Sequence, residues 1–204
     1  MAAAAVYVLS WLTGLATGPS SPSPTADAAA VHAFYAAHSG GVLVQSLLVH
    51  GLAGVMLAVL ACCIPRHGPG RLYRAAAASG VLAAALSLTQ VALAGAATKA
   101  ATAPDREKTL AFFHAVNYTD IVKLVALAAF VATTTLLLTR LGHTSRAVRG
   151  IAAVLVPLLP AGSFALIAPE SLLTALLALS LLLLLTWTAL TGWALRYTGT
   201  SAAA

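Results

Sequence analysis

Long runs of apolar residues, broken by short polar segments, dominate this chain. A membrane-spanning helix needs about 20 mostly apolar residues. Five runs meet that length, at about residues 42–64, 75–97, 112–138, 148–168 and 171–195, and a shorter one covers about residues 2–17. The pattern predicts an all-α polytopic membrane helix bundle, a single transmembrane domain of six helices.

The first apolar run has two interpretations. The letters "ADA" at residues 26–28 resemble the cleavage site of a signal peptide. The positively charged region that should begin a signal peptide is missing, however, which favours a first helix that is retained.

The stretch between the first two spans, residues 18–40, is predicted to be an external linker. Its first half is rich in Pro and Ser, and its second half reads "DAAAVHAFYAAH". We expect this second half to form a short helix on the membrane surface, with Asp27 as its N-cap and with Phe34 and Tyr35 at the membrane interface.

Composition supports a membrane protein. Only 8% of the 204 residues are charged and 60% are apolar, whereas soluble domains carry about 25% charged residues. The net charge of +6 is spread over short loops. Nucleic-acid binding is therefore excluded, because it would need clustered basic residues.

The distribution of Arg predicts the orientation. Arginines without nearby acids occur in the loops after the second and fourth spans and after the last span: Arg66, Arg71, Arg74, Arg140, Arg146, Arg149 and Arg196. By the positive-inside rule, these loops and both termini are cytoplasmic. We expect a multi-pass protein of the cell's inner (plasma) membrane.

One span contains charged residues. The fourth span includes "FFHAVNYTDIVKLVALAAF", in which Asp120 and Lys123 stand three residues apart and thus on one helix face. Each costs about 2.5–3.5 kcal/mol at the centre of a membrane helix. Such residues face the interior of a bundle and have partners there.

Other spans carry polar residues at a similar depth, because a helix rises about 1.5 Å per residue. The depths below the predicted outer end are about 3, 8, 12 and 16 Å for His114, Asn117, Asp120 and Lys123, about 5 and 12 Å for Gln45 and His50, and about 10 Å for Gln90. Three helices thus predict one shared site, with His114 at its rim. Gln45 and His50 lie about 140° apart on an α-helix, so we expect only one of them to join.

The sequence predicts no cofactor and no metal. A haem held by two imidazoles would need histidines at one depth, and His50 and His114 differ by about 9 Å. No Cys-based metal site, nucleotide-binding fingerprint or nucleophile motif is present in the sequence.

Several stretches resemble small six-helix integral membrane proteins of actinobacterial type whose function is unknown. They are "DAAAVHAFYAAH", "VQSLLVHGLAG", "AVNYTDIVKLVALA" and "LTWTALTGWAL". The resemblance implies a six-helix bundle and no activity. A fainter resemblance, in size, helix count and intramembrane acid, is to small integral membrane terpene cyclases.

Three functions remain open. The favoured one is a membrane enzyme on a lipophilic, prenyl-type substrate, in which a neutral Asp120 acts as the catalytic acid. Aromatic residues (Phe130, Phe164 and Trp187) could then line an apolar cavity. The substrate would be bound by Asn117, Lys123, His50, Gln45, Gln90, His114 and Trp187. Against it, Lys123 favours the ionised form of Asp120.

The second hypothesis is a proton-linked carrier or small-molecule-binding membrane protein, with Asp120, Lys123 and His50 as the relay or site. The third is a structural subunit of a membrane complex, in which the Asp120–Lys123 pair ties helices together. The expected partners are membrane lipids, a lipophilic small molecule and, in a homo-oligomer, a second copy of the chain.

Overall fold

The computed structural model describes residues 2–64 and 70–198, and nearly all of these residues are helical. The helices are α1 (Ala2–Thr17), α2 (Ala28–Cys63), α3 (Arg71–Ala100), α4 (Arg106–Arg140), α5 (Arg146–Ser163) and α6 (Ser171–Thr198). The described residues contain no strand. The predicted all-α helix bundle is confirmed, and α2 to α6 are long and apolar enough to cross a membrane.

The helices run up and down between two ends of different charge. We call the end with residues 18–27, 101–105 and 167–170 the linker end; these segments carry Asp27, Asp105 and Glu170, and the bases Lys99, Arg106 and Lys108 lie in the adjoining helix ends. The opposite end, here the arginine end, carries Arg71, Arg74, Arg140, Arg146 and Arg149. Arg66 and the side chain of Arg196 lie outside the described residues. Which end faces the cytoplasm stays a prediction from the positive-inside rule.

Helix α4 is the centre of the bundle. In its most apolar stretch 61% of the residues are buried, against at most 39% in the other four long helices. It packs along α3 in the most extensive helix contact of the fold, and it also contacts α5 and the N-terminal part of α2. The helix with the charged residues is thus the one best shielded from lipid.

Helix α2 is bent and irregular. A straight α-helix of 36 residues would be about 54 Å long, well beyond the about 30 Å of a bilayer core. The backbone leaves helical geometry at His38 (φ −118°, ψ 21°). At the bend, the carbonyl of Phe34 accepts a hydrogen bond of 3.1 Å from Nδ1 of His38. Further along, residues Leu47–Leu52 form a π-helical turn.

The segment of α2 before the bend corresponds to the predicted short helix. Asp27 caps it as predicted, because its Oδ1 accepts a 2.8 Å hydrogen bond from the backbone N–H of Ala30. The interfacial position predicted for Tyr35 is wrong. Its side chain is 5% exposed and meets the ring of Phe113 at 6.4 Å. The segment packs on α3 and α4, and Nε2 of His32 donates to the carbonyl of Ala103 at 2.8 Å.

Helices α5 and α6 form a hairpin with a very close approach. Pro157 and Pro160 lie inside α5, and a short 3-10 turn, Phe164–Leu166, follows it. A Cβ added at Gly162 would lie 2.8 Å from the Cα and 2.9 Å from the N of Leu177. Since both are backbone atoms of α6, the two helices would have to move apart.

We therefore expect Gly162→Ala to destabilise the protein by about 1–3 kcal/mol, the usual cost of overpacking. Gly150→Ala, in the same helix, is the matched control. A Cβ at Gly150 has no neighbour within 4 Å, and Ala is a better helix former than Gly. The thermal unfolding midpoints of both variants in detergent check this expectation. Equal midpoints for the two variants would contradict the close α5–α6 packing.

Candidate functional site

An ion pair on α4 forms the base of the site. Nζ of Lys123 lies 2.5 Å from Oδ1 of Asp120, one helical turn earlier. The side chain of Lys123 is 2% exposed and that of Asp120 is 25% exposed. The ammonium is thus fully enclosed, while the carboxylate keeps one open side.

Two other helices supply the remaining acceptors of this ammonium. Nζ of Lys123 donates to Oε1 of Gln90 on α3 at 2.7 Å. Nδ1 of His50 on α2 lies 3.3 Å from the same nitrogen. An ammonium has three N–H groups and no acceptor. Asp120, Gln90 and His50 therefore match the donors of Lys123 in number.

Gln90 is fixed at both ends of its amide. It is completely buried, and its Nε2 donates to the backbone carbonyl of Val116 on α4 at 3.3 Å. This bond sets the orientation of the amide, so that Oε1 must face Lys123. The pair of bonds also ties α3 to α4 at this depth.

Helix α1 closes the site from the side with Trp11. Nζ of Lys123 lies 5.8 Å from the centroid of the Trp11 ring, within the range of a cation–π contact. The ring of His50 meets that of Trp11 edge to face at 6.3 Å. Since Nδ1 of His50 accepts from the ammonium, the imidazole proton belongs on Nε2.

A cavity of about 200 Å³ lies against this network, between α1, α2, α3, α4 and α6. Its polar lining consists of Ser21, Gln45, Ser46, His50, Asp120 and Lys123. Its remaining lining is Trp11, Leu15, Tyr35, Val42, Val49, Ala94, Val116, Leu124, Leu127, Leu177 and Leu181. Leu15 and Ser21 are exposed, so the cavity reaches the surface near the linker end.

The π-helical turn explains why Gln45 and His50 both line this cavity. The prediction that only one of them joins the site is wrong, because it assumed about 100° per residue. Residues Leu47–Leu52 hydrogen-bond in the wider i to i+5 pattern instead. Positions five apart then come to the same side of the helix. Such turns often occur at functional sites.

Four predicted site residues do not line the cavity. Gln90 is one of them, and it belongs to the site through the hydrogen bond that it accepts from Lys123. Nδ2 of Asn117 is buried without a hydrogen-bond partner. His114 packs between the rings of Phe113 and Tyr118, at 5.7 and 6.3 Å. Trp187 is 1% exposed and lies deeper in the bundle.

Trp187 belongs to a separate contact towards the arginine end. Its Nε1 donates to Oγ1 of Thr135 at 3.0 Å, and its ring meets that of Phe130 edge to face at 5.8 Å. Phe164 is 54% exposed. The aromatic lining expected from Phe130, Phe164 and Trp187 is therefore wrong, and Trp11 and Tyr35 line the cavity instead.

Trp11 is the main residue that sequence reasoning missed. It lies six residues before the end of α1, which is about 9 Å of helix and close to the depths of Gln90 and Asp120. The depth comparison that found the other residues would have found it too. Trp11 differs from those residues in having an aromatic side chain and in lying on the short first helix.

Comparison with protein-family models, with curated proteins and with solved structures found no match for this chain. The two resemblances stated from the sequence therefore stay predictions. Among the described residues, no group of three or more His, Cys, Asp or Glu side chains is placed to hold a metal ion. The chemistry of the site is thus described from its own side chains.

The charged groups of the site have no net charge, and they lie beside a small cavity. One carboxylate and one ammonium balance each other, and a neutral imidazole and an amide complete the network. A change in the charge of any member must be balanced by another, because unpaired charge is expensive away from water.

This balance predicts the effect of removing one charge. Lys123→Met leaves Asp120 without its counter-ion, and we expect a loss of about 3 kcal/mol in the free energy of unfolding, since Asp120 keeps some exposure. In the double variant Asp120→Asn/Lys123→Met no charge is left unpaired, so most of this loss should be recovered. Unfolding of the purified variants in detergent micelles measures both. A double variant no more stable than Lys123→Met would show that the pair is not coupled.

Proposed function

We propose that this protein is an integral membrane protein that binds a small polar solute in the ion-pair cavity and links that binding to a proton, as a carrier or a binding protein. The proposal rests on the burial of Lys123 and on the partners of its ammonium. Its ammonium is buried with three acceptors from three helices, directly beside a cavity that reaches the surface. Intramembrane ionisable groups of this kind are characteristic of solute and proton pathways.

The link to a proton follows from the ion pair. Of the five acids of the chain, only Asp120 lies within a helix beyond its first turn, and its open side faces the cavity. A proton on this carboxylate removes the attraction that holds Lys123. The ammonium then needs a new partner, and the cavity is where one can enter.

The geometry supports this proposal better than acid catalysis by Asp120. A catalytic acid must be protonated before the reaction, whereas the adjacent ammonium favours the ionised carboxylate. The cavity, at about 200 Å³, is also smaller than the about 300–1,000 Å³ of pockets for drug-sized ligands such as a prenyl chain.

Helix α2 supplies the irregular backbone that a moving part needs. The bend at His38 and the π turn at Leu47–Leu52 lie on either side of Val42 and Gln45, which line the cavity. Hinges are a few positions that absorb changes in φ and ψ. These two points are where α2 would open or close the cavity.

We expect solute binding to strengthen as the pH falls. The bound state carries one more proton than the free state, so lower pH favours it by linkage. A panel of small anionic, cationic and neutral polar solutes is added to the purified protein at about pH 8 and about pH 5, and the rise of the thermal unfolding midpoint reports binding. In the Asp120→Asn variant, a solute should raise the thermal unfolding midpoint by the same amount at both pH values.

Asp27→Asn is the matched control, since Asn caps a helix as well as Asp does and Asp27 lies outside the cavity. It should keep the pH dependence of the unmodified chain. If no solute raises the midpoint at either pH, the cavity is not a solute site. If binding occurs without any pH dependence, the link to a proton is wrong.

A further inference from the structure

We propose that the solute is a small carboxylate, and that its binding to Lys123 is accompanied by the uptake of one proton on Asp120. This inference rests on the proposed function and names the ligand class of the same cavity. It follows from three features of the site: how the ammonium is held, the charge balance, and the polar atoms left without a partner.

The way the ammonium is held determines which partner can be exchanged. Gln90 cannot turn away easily, because its Nε2 is bonded to the backbone of α4. Asp120 is held at Lys123 by the ion pair between its Oδ1 and Nζ, one helical turn apart on α4. Asp120 is also the more exposed member of the pair. An entering anion therefore replaces Asp120 at Lys123.

The charge balance requires the proton. The resting site holds one negative and one positive charge. An anion alone would leave the site with a net negative charge in a region where uncompensated charge is expensive. With a proton on Asp120, the ammonium and the anion balance each other and the loaded site is neutral.

The proton goes to Asp120 rather than to His50. A protonated His50 would face the ammonium at 3.3 Å, a repulsive contact between like charges. It would also leave four charges in the cavity, two of each sign, whereas protonation of Asp120 leaves two. Fewer buried charges mean a lower cost of desolvation.

The titratable and charged groups that face the pair come from three helices. They are Tyr7 on α1, Tyr35 and His50 on α2, and Asp120 and Lys123 themselves on α4. Helix α3 contributes the neutral Gln90, and α6 contributes leucines. Asp120 is thus the only group in this set whose protonation removes a charge instead of adding one.

The cavity offers the remaining contacts of a small acid. Ser46 is 5% exposed and lines the cavity, and its Oγ has no hydrogen-bond partner. It can donate to the second oxygen of a carboxylate. Leu177 and Leu181 of α6 also line the cavity and suit a short apolar tail. A volume of about 200 Å³ holds such an acid with a few waters.

The step exchanges one ion pair for another. The only covalent bond that breaks is the one between the proton and its donor, hydronium or buffer. A proton leaves solvent hydronium or buffer and binds a carboxylate oxygen of Asp120. The ammonium of Lys123 keeps its three protons and turns its contact from Asp120 to the entering anion. No oxidant, reductant or co-reactant takes part.

Calorimetry of the purified, full-length chain tests the proposal with acetate, propionate and methanesulfonate as probes. Titrations in buffers of different ionisation enthalpy give the number of protons taken up per anion bound. We expect about one proton, and an apparent affinity that rises about tenfold per pH unit as the pH falls. Methanesulfonate stays anionic between about pH 5 and about pH 8. Any proton that is taken up when it binds must therefore go to the protein.

Three variants locate the charges. Asp120→Asn should bind the anions without proton uptake and with no pH dependence, because Asn stands in for the protonated acid. His50→Gln should keep the uptake of one proton. Asp120→Asn/Lys123→Met, which has no unpaired charge, should lose at least about tenfold in affinity for the anions compared with Asp120→Asn.

Several results would overturn this inference. If acetamide and methanesulfonamide bind as well as the anions and with the same proton uptake, the ligand class is wrong while the proposed function stands. Anion binding without proton uptake by the unmodified chain, or loss of the uptake in His50→Gln, contradicts the role of Asp120. Affinity that keeps rising with chain length up to octanoate would show a membrane fatty acid rather than a small solute. Absence of binding by every probe refutes the inference.

Discussion

The bundle depends on the enclosure of one ammonium group among acceptors from three helices. Lys123 could not lie at this depth without Asp120, Gln90 and His50, and these residues fix how α2, α3 and α4 pack against each other. In a membrane, apolar side chains gain little by leaving lipid for protein, so close packing and polar contacts between helices determine the arrangement. The network supplies those contacts at the centre of the fold.

The same network explains why the charged helix is the central one. Helix α4 carries the Asp120–Lys123 ion pair, and it is also the most deeply buried of the long helices. Its partners Gln90 and His50 lie at a similar depth because of their distances along α3 and α2 from the linker end. The cavity exists beside the pair because Asp120 keeps an open side and α2 widens into a π turn there. The side chains that connect the helices are thus also the ones that form the proposed binding site.

Much of the site could be predicted because depth along a helix follows from residue number. Gln90, Asp120, Lys123 and His50 were placed together from counting alone, and the structure brings them together. Rotation about the helix was less predictable. Gln45 and His50 were expected on different faces of the helix because the π turn has no signature in the letters "LLVHGL". Asn117, His114 and Trp187 were included for their polarity or size, which says nothing about the side they face.

The sequence by itself determined the class of fold, the presence of apolar helices long enough to cross a membrane and the presence of a charged pair that must be shielded from lipid. These follow from local composition and from the fixed rise of a helix. Only the tertiary structure decided that Trp11 closes the site, that Tyr35 is buried and that a cavity remains beside Asp120. These depend on how helices far apart in the chain rotate and bend against one another, which no local pattern of residues specifies.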